Sequence, residues 1–229
     1  LSTLSTLAHE QFVSAEFGQL LEKLGQDASL TDDQRINVEL TKQDYLKKQK
    51  LPHAFVEELS RECGDAFTAW AEAKTKDDFS IFEPHLTRLV ALKKREAEYV
   101  GYENHPYEAL MDDYEPGLTV AKVDTVFSDV KEQLFPFIKK VIEQKRPESS
   151  LLTQFFPKEK QLEVTRKLIE QMGFDFNRGR ADFTMHPFCT TFGPGDVRVT
   201  LWSDENYLNA MLFAGIHEAG HGLYEQGLP

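Results

Sequence analysis

From the first residues to about Lys145, apolar side chains recur at three- and four-residue spacing with polar ones between them, the period of helices that bury one stripe. Phe12, Phe17, Leu20, Leu21 and Leu24 form one such stripe, which Gly25 ends. Thr31-Asp32-Asp33 offers N-cap residues for a second helix running towards Lys50. Pro52 opens a third, with Phe55, Val56, Leu59, Cys63, Phe67 and Trp70 on one face. Asp77-Asp78 separates it from a fourth that carries Phe82, Leu86, Leu89 and Leu92. Four antiparallel helices are expected. Residues 101–119 hold glycine, asparagine and prolines and predict a short helix between two loops. A long helix then runs from Thr119 towards Lys145, with Pro136 expected to bend or split it.

Pro147-Glu148-Ser149-Ser150 is a polar connector, after which residues 158–172 return to a helical period with Gly173 as C-cap. The texture then changes. Residues 182–202 are rich in Phe, Thr and Val, interrupted by Phe192-Gly193-Pro194-Gly195-Asp196, which predicts two short strands joined by a turn. Ser203 or Asp204 is the expected cap of a last helix. The predicted fold is mainly α: a bundle of long helices with a small antiparallel β-hairpin beside the last helix. Its parts are a helical region over about 1–175, a β element over 182–202 and the last helix over 204–227, with residues 1–229 expected to be the N-terminal portion of a single domain.

With 41% hydrophobic residues and 17 phenylalanines, the chain has enough apolar material for a substantial core. Trp70, Trp202 and most of the phenylalanines are expected inside it. Only 13 glycines and 10 prolines occur, too few turn-makers for an all-β sandwich. The 26 Lys and Arg against 38 Asp and Glu give a formal charge of −12, a field that repels phosphate backbones and anionic lipid. Nucleic acid and membrane surfaces are therefore excluded as expected partners. The two cysteines, Cys63 and Cys189, lie far apart in segments of different character, so neither a disulfide framework nor a cysteine-based zinc site is expected, and a reducing cytoplasm fits best. The longest apolar stretch, 210–216, falls short of the ~18 residues of a membrane span. No basic region followed by an apolar run opens the chain, so no secretion signal is expected, although the first residue is Leu1 rather than Met.

The last predicted helix contains His217-Glu218-Ala219-Gly220-His221, the HExxH pattern. Residues four apart lie on one helix face a turn apart, so both imidazoles reach a single tetrahedral zinc ion. Glu218 beside them is placed to take a proton from a metal-activated water, which points to peptide hydrolysis. A merely polar helix face is the competing explanation. Met211, Leu212, Phe213 and Ile216 weigh against it, because the helix enters a core where unpaired polar side chains are costly. A third protein ligand is required. Tyr224 and Gly227 occupy the positions of the glycine and last histidine in the longer HExxHxxGxxH pattern, so an acidic ligand from beyond Pro229 is expected instead. Glu225 reads as a surface residue or a support for the ligands.

The stretch His217-Glu-Ala-Gly-His-Gly-Leu-Tyr-Glu-Gln-Gly-Leu-Pro229 closely resembles the zinc-binding segment of the carboxypeptidase Taq family of metallocarboxypeptidases. His186-Pro187-Phe188 resembles that family's HPF motif, Asp196-Val197-Arg198-Val199-Thr200 its DxRxT motif, and Tyr114-Glu115-Pro116-Gly117 a pattern in its helical half. Order and spacing also agree. The resemblance covers the whole chain but only the first half or so of such an enzyme; the acidic third ligand and the later motifs that bind the substrate's C-terminus have no counterpart here.

The resemblance implies removal of C-terminal residues from peptides, with His217 and His221 as metal ligands and Glu218 as general base. It makes Asp196 and Arg198 candidate active-site groups, which would otherwise read as a surface ion pair, and gives His186 a place in or behind the ligand shell. It further implies zinc, with cobalt as a substitute, broad side-chain tolerance, a peptide substrate with a free C-terminus, and a homodimer. Two other functions remain open: an oligopeptidase that cleaves internal bonds with the same motif, and a non-catalytic helical piece that associates with another chain. For these 229 residues alone an incomplete, inactive site is expected.

Overall fold

A computed structural model describes residues 2–145 and 148–228, so Pro147 of the connector lies outside the described residues. The described residues form nine helices and three strands. They divide into two compact units, Leu1–Ile138 and Lys139–Pro229. No described helix is long and apolar enough to cross a membrane.

The first unit opens with α1 (Ser2–Phe12) and α2 (Ala15–Gly25), so the predicted first helix is interrupted. The cause is Ser14, whose extended backbone and hydroxyl, accepting from Phe17 N at 3.3 Å, start a new helix at that point. Thr31 does the same for α3 (Asp32–Lys48) through a full capping box with Gln34. In α4 (His53–Lys76) the buried positions are Phe55, Ala66, Ala69 and Ala73, whereas Cys63 is exposed and Phe67 is 56% exposed. Alanines let α4 approach α1 and α5 (Glu83–Val100) closely, which the larger side chains at the edge of the stripe would prevent. Leu51, Phe55 and Leu92 form the core there, and buried His9 has Nε2 3.0 Å from the Leu51 carbonyl oxygen.

The short helix α6 (Pro106–Met111) leads into Tyr114-Glu115-Pro116-Gly117. Gly117 adopts φ +77°, a conformation costly for other residues, and its N–H donates to Asp112 Oδ1 at 3.1 Å. Asp112 and Asp113 together hold Lys47 Nζ, at 3.0 and 2.7 Å. Next, α7 (Val120–Ile142) runs unbroken through Pro136, so the expected split does not occur. It buries none of its side chains: Phe127, Phe135 and Phe137 are all more than half exposed, so the expectation that most phenylalanines are core fails here.

In the second unit α8 (Lys158–Gln171) ends at Met172 and Gly173. The sheet that follows has three strands, β1 (Gly179–Phe183), β2 (Cys189–Thr191) and β3 (Val197–Leu201), in the order β1-β3-β2. The predicted hairpin is the antiparallel β2–β3 pair, turned at Gly193 with φ +139°. The additional strand, β1, pairs parallel to β3 from Gly179 opposite Val197 to Phe183 opposite Leu201. Gly179, Arg180, Ala181 and Asp182 have little strand propensity, so β3 rather than local sequence makes β1 a strand. At Gly179 a β-carbon would collide with the Val197 carbonyl oxygen.

The last helix, α9 (Leu208–Gln226), packs on α8, β2 and β3. It begins later than expected, with Tyr207 at the N-cap. Ser203 and Asp204 lie in the loop before it, and Asp204 Oδ1 accepts from Asn206 N at 2.8 Å instead of capping the helix. That loop is tied to the start of α8: Phe156 N donates to Glu205 O, Lys158 N to the Glu205 carboxylate, and Gln161 Nε2 to Asp204 O. Ile169, Phe174, Val197, Val199 and Ala219 make the buried core beneath α9.

Candidate metal centre and the cavity beside it

Helical periodicity sorts the residues of α9. Met211, Gly215, Glu218, Ala219, Gly222 and Gln226 are buried, while His217, Gly220, His221 and Tyr224 are exposed. The stripe that anchors the helix thus leaves the two histidines on the outer face, one turn apart. Two glycines make this close packing possible. A β-carbon at Gly215 would meet Thr165 on α8, and one at Gly222 would lie 2.6 Å from the Phe174 ring.

The His217 and His221 rings are nearly perpendicular, at 86°, and their Nε2 atoms are 3.2 Å apart. Two nitrogens each about 2.0–2.1 Å from one tetrahedral zinc ion stand roughly 3.3 Å apart. The pair therefore fits two corners of such a site. Among the described residues no third His, Cys, Asp or Glu joins them.

Glu218 is 7% exposed and, with His221, Glu225, Phe188, Cys189, Thr190 and Thr191, lines an open cavity of about 510 Å³. One wall is thus β2, which is an edge strand. Antiparallel pairing alternates. Phe188 O accepts from Thr200 N and Phe192 N donates to Asp196 O, so these residues face β3 and the N–H and C=O groups of Cys189 and Thr191 point to the free edge. The Cys189 thiol is held above its ordinary pKa by burial, and then by the nearby Glu218 and Glu225 carboxylates.

His186 sits on an exposed bend between β1 and β2 and is not among the residues lining this cavity. Asp196 and Arg198 form a bidentate pair, Nε to Oδ1 at 2.8 Å and Nη2 to Oδ2 at 2.7 Å, which holds the Asp196 carboxyl below its usual range. The Arg198 guanidinium also lies 4.8 Å from the centre of the Phe192 ring. Val197 and Val199 face the core under α9, so alternation places Arg198 on the opposite sheet face from the histidines. The structure thus gathers His217, Glu218 and His221 at one place and does not bring His186, Asp196 or Arg198 to it. Thr190, Thr191, Cys189 and Glu225 line the cavity without having been singled out from sequence as cavity residues, since only a strand edge beside α9 makes them neighbours.

Over residues 1–229 the sequence matches the family described as Carboxypeptidase Taq (M32) metallopeptidase. The chain belongs to this family. Among M32 relatives, Carboxypeptidase 1 of Bacillus subtilis (strain 168) is 44% identical over 200 residues, covering 87% of this chain and 40% of that protein. Thermostable carboxypeptidase 1 of Thermus thermophilus is 35% identical over 243 residues, covering all of this chain and 48% of that protein. The BsuCP crystal structure superposes with a TM-score of 0.94 at 41% identity, covering 99% of this chain and 46% of that one. The M32 carboxypeptidase from Deinococcus radiodurans R1 gives 0.85 at 34% identity, with the same coverage. The chain spans about half the length of the M32 proteins it matches.

Proposed function

We propose that the complete gene product is a zinc-dependent carboxypeptidase that removes C-terminal residues from peptides. The observation that carries this reading is the pair of histidine Nε2 atoms 3.2 Å apart on α9, with the Glu218 carboxylate in the adjoining cavity. Membership of a metallopeptidase family supports the metal, and the names of its relatives support the reaction. When bound, zinc supplies Lewis acidity that activates water and polarises the scissile carbonyl. His217 and His221 would hold the metal through Nε2. A third donor comes from the part of the relatives' length that this chain does not span, so these 229 residues alone bind zinc weakly and do not catalyse.

Glu218 acts as general base: its carboxylate accepts the proton of the attacking water and delivers it to the departing amine. Its burial on the inner stripe of α9 fixes the carboxylate relative to the histidines, so no ordering of a mobile side chain is needed at the moment of reaction. The free edge of β2 offers the backbone N–H and C=O groups of Cys189 and Thr191 to an extended peptide, as one more strand. Main-chain pairing of that kind is indifferent to side chains and fits broad tolerance. His186, Asp196 and Arg198 belong in this reading as supports of the strand and turn, and a homodimer in the cytoplasm as its setting.

The deciding experiment offers the complete gene product the same short peptide with a free and with an amidated C-terminus. Hydrolysis of the free acid alone, releasing the terminal residue, is expected. Equal cleavage of both, at an internal bond, would make the protein an oligopeptidase.

A further inference from the structure

The wall of the cavity is short. β2 has three residues, and one end of its ladder is closed by the hairpin turn, where Phe192 N donates to Asp196 O at 3.0 Å. The other end, where the chain arrives from the bend at His186-Pro187, is closed by Thr200. Thr200 N donates to Phe188 O at 2.8 Å, an ordinary ladder bond. Its side chain does more. Thr200 Oγ1 accepts from Phe188 N at 2.8 Å and lies 3.1 Å from Phe188 O, which accepts its proton. One hydroxyl therefore satisfies both backbone polar groups of Phe188, the residue at which the cavity wall begins. Thr200 is 8% exposed, so no water replaces it without opening the sheet.

We propose that Thr200 is a positioning residue whose hydroxyl clamps Phe188 and thereby sets where the β2 edge stands relative to Glu218 and His221. The proposal rests on the carboxypeptidase reading for its effect on catalysis, but not for the clamp itself. Thr200 touches neither Glu218 nor the histidines, and its action passes through the backbone of Phe188 to Cys189 and Thr191, whose free N–H and C=O groups face the peptide. Cys189 reports on the same movement, because its side chain packs against the core that contains Val199 and Ala219. Peeling of the strand end uncovers it.

Two variants separate hydroxyl from shape. Thr200→Val keeps the branched side chain and leaves Phe188 N without its acceptor, whereas Thr200→Ser keeps the hydroxyl and loses only a methyl. In the metal-free complete gene product, iodoacetamide labelling is followed at each cysteine by peptide mass spectrometry, with exposed Cys63 as internal reference. Labelling of Cys189 should accelerate roughly tenfold in Thr200→Val, the size expected when a partly buried N–H loses its partner. The acceleration should not depend on low urea, Cys63 should be unchanged, and Thr200→Ser should stay near wild type. In the metal-loaded enzyme, Thr200→Val should raise KM for a free-acid tripeptide by a similar factor, with kcat and zinc content nearly unchanged, and Thr200→Ser should restore KM. Wild-type labelling in Thr200→Val, or equal impairment in both variants, would overturn the clamp. If the labelling result holds but wild type cleaves no free-acid peptide, it is the carboxypeptidase reading that fails.

Discussion

Gly222 lies one residue beyond the second histidine, on the inner face of α9, and replacing it with Ala sets two known effects against each other. In a helix interior, Gly→Ala is worth roughly 0.5–1 kcal/mol in favour of folding, because the unfolded chain loses freedom. At Gly222, however, the new β-carbon would lie 2.6 and 2.9 Å from two carbons of the Phe174 ring and 3.3 Å from Val199 Cγ1. Non-bonded carbons prefer about 3.5–4.0 Å. The ring cannot swing away: Phe174 is 1% exposed, packs edge-on against Phe176 with centroids 5.0 Å apart, and belongs to the core with Ile169 and Ala219. Overpacking of this kind costs about 1–3 kcal/mol, so Gly222→Ala should be destabilising by roughly 1–2 kcal/mol net. Gly220 is the control, because its β-carbon would meet nothing within 4 Å on the same helix. Gly220→Ala should therefore gain about 0.5–1 kcal/mol. Urea unfolding of the metal-free protein, followed by circular dichroism, should place the two midpoints on opposite sides of wild type with similar slopes. If Gly222→Ala is as stabilising as Gly220→Ala, α9 does not pack on Phe174 as described.

Glu218→Gln keeps the shape of the side chain but removes the base, so kcat should fall at least ~100-fold while zinc content stays constant, measured by peptide hydrolysis and atomic absorption. His217→Ala and His221→Ala should each strip zinc from the complete gene product, and stoichiometric metal in both would refute the ligand pair. A third expectation concerns pH. The Asp112 carboxyl is held below its usual pKa of 3.8 by Lys47 and by the N–H of Gly117, so its contribution to stability is complete above about pH 4 and lost as pH falls through the lowered value. Asp112→Asn should accordingly be destabilised at pH 7 and approach wild type below pH 3, in urea midpoints taken across that range.

The parts of the fold that could be read in advance are those decided by local chemistry. Thr31 with Gln34, the break at Asp77 and the stop at Gly173 each depend on a few neighbouring residues, and HExxH fixes its own geometry once it is helical. What escaped depends on partners far away in sequence. β1 is a strand because β3 offers it hydrogen bonds, and α4 buries alanines because its neighbours come close, which a search for large apolar side chains overlooks. The break before α2 is hidden in the pattern because Phe12 and Phe17 continue the stripe across it, although Ser14 carries the cap. Thr200 is, in sequence, only the last letter of a motif; its bonds to Phe188 arise from the hairpin register.

The last turn of α9 has a bearing on the order of events during synthesis. Gln226 is buried at its end, where Oε1 accepts from Asp175 N and Nε2 donates to Asp175 O, both at 2.9 Å, while its carbonyl accepts from Arg178. A side-chain amide thus imitates a strand partner and fastens the helix to the loop after α8. α8, β2 and β3, which pack against α9, all precede it in the chain. The described elements that pack on α9 have therefore all been synthesised by the time Gln226 is, and the separations to be closed are some tens of residues, short enough for loop closure to cost little. His217 and His221 are thus carried on a helix whose described packing partners are all synthesised before it.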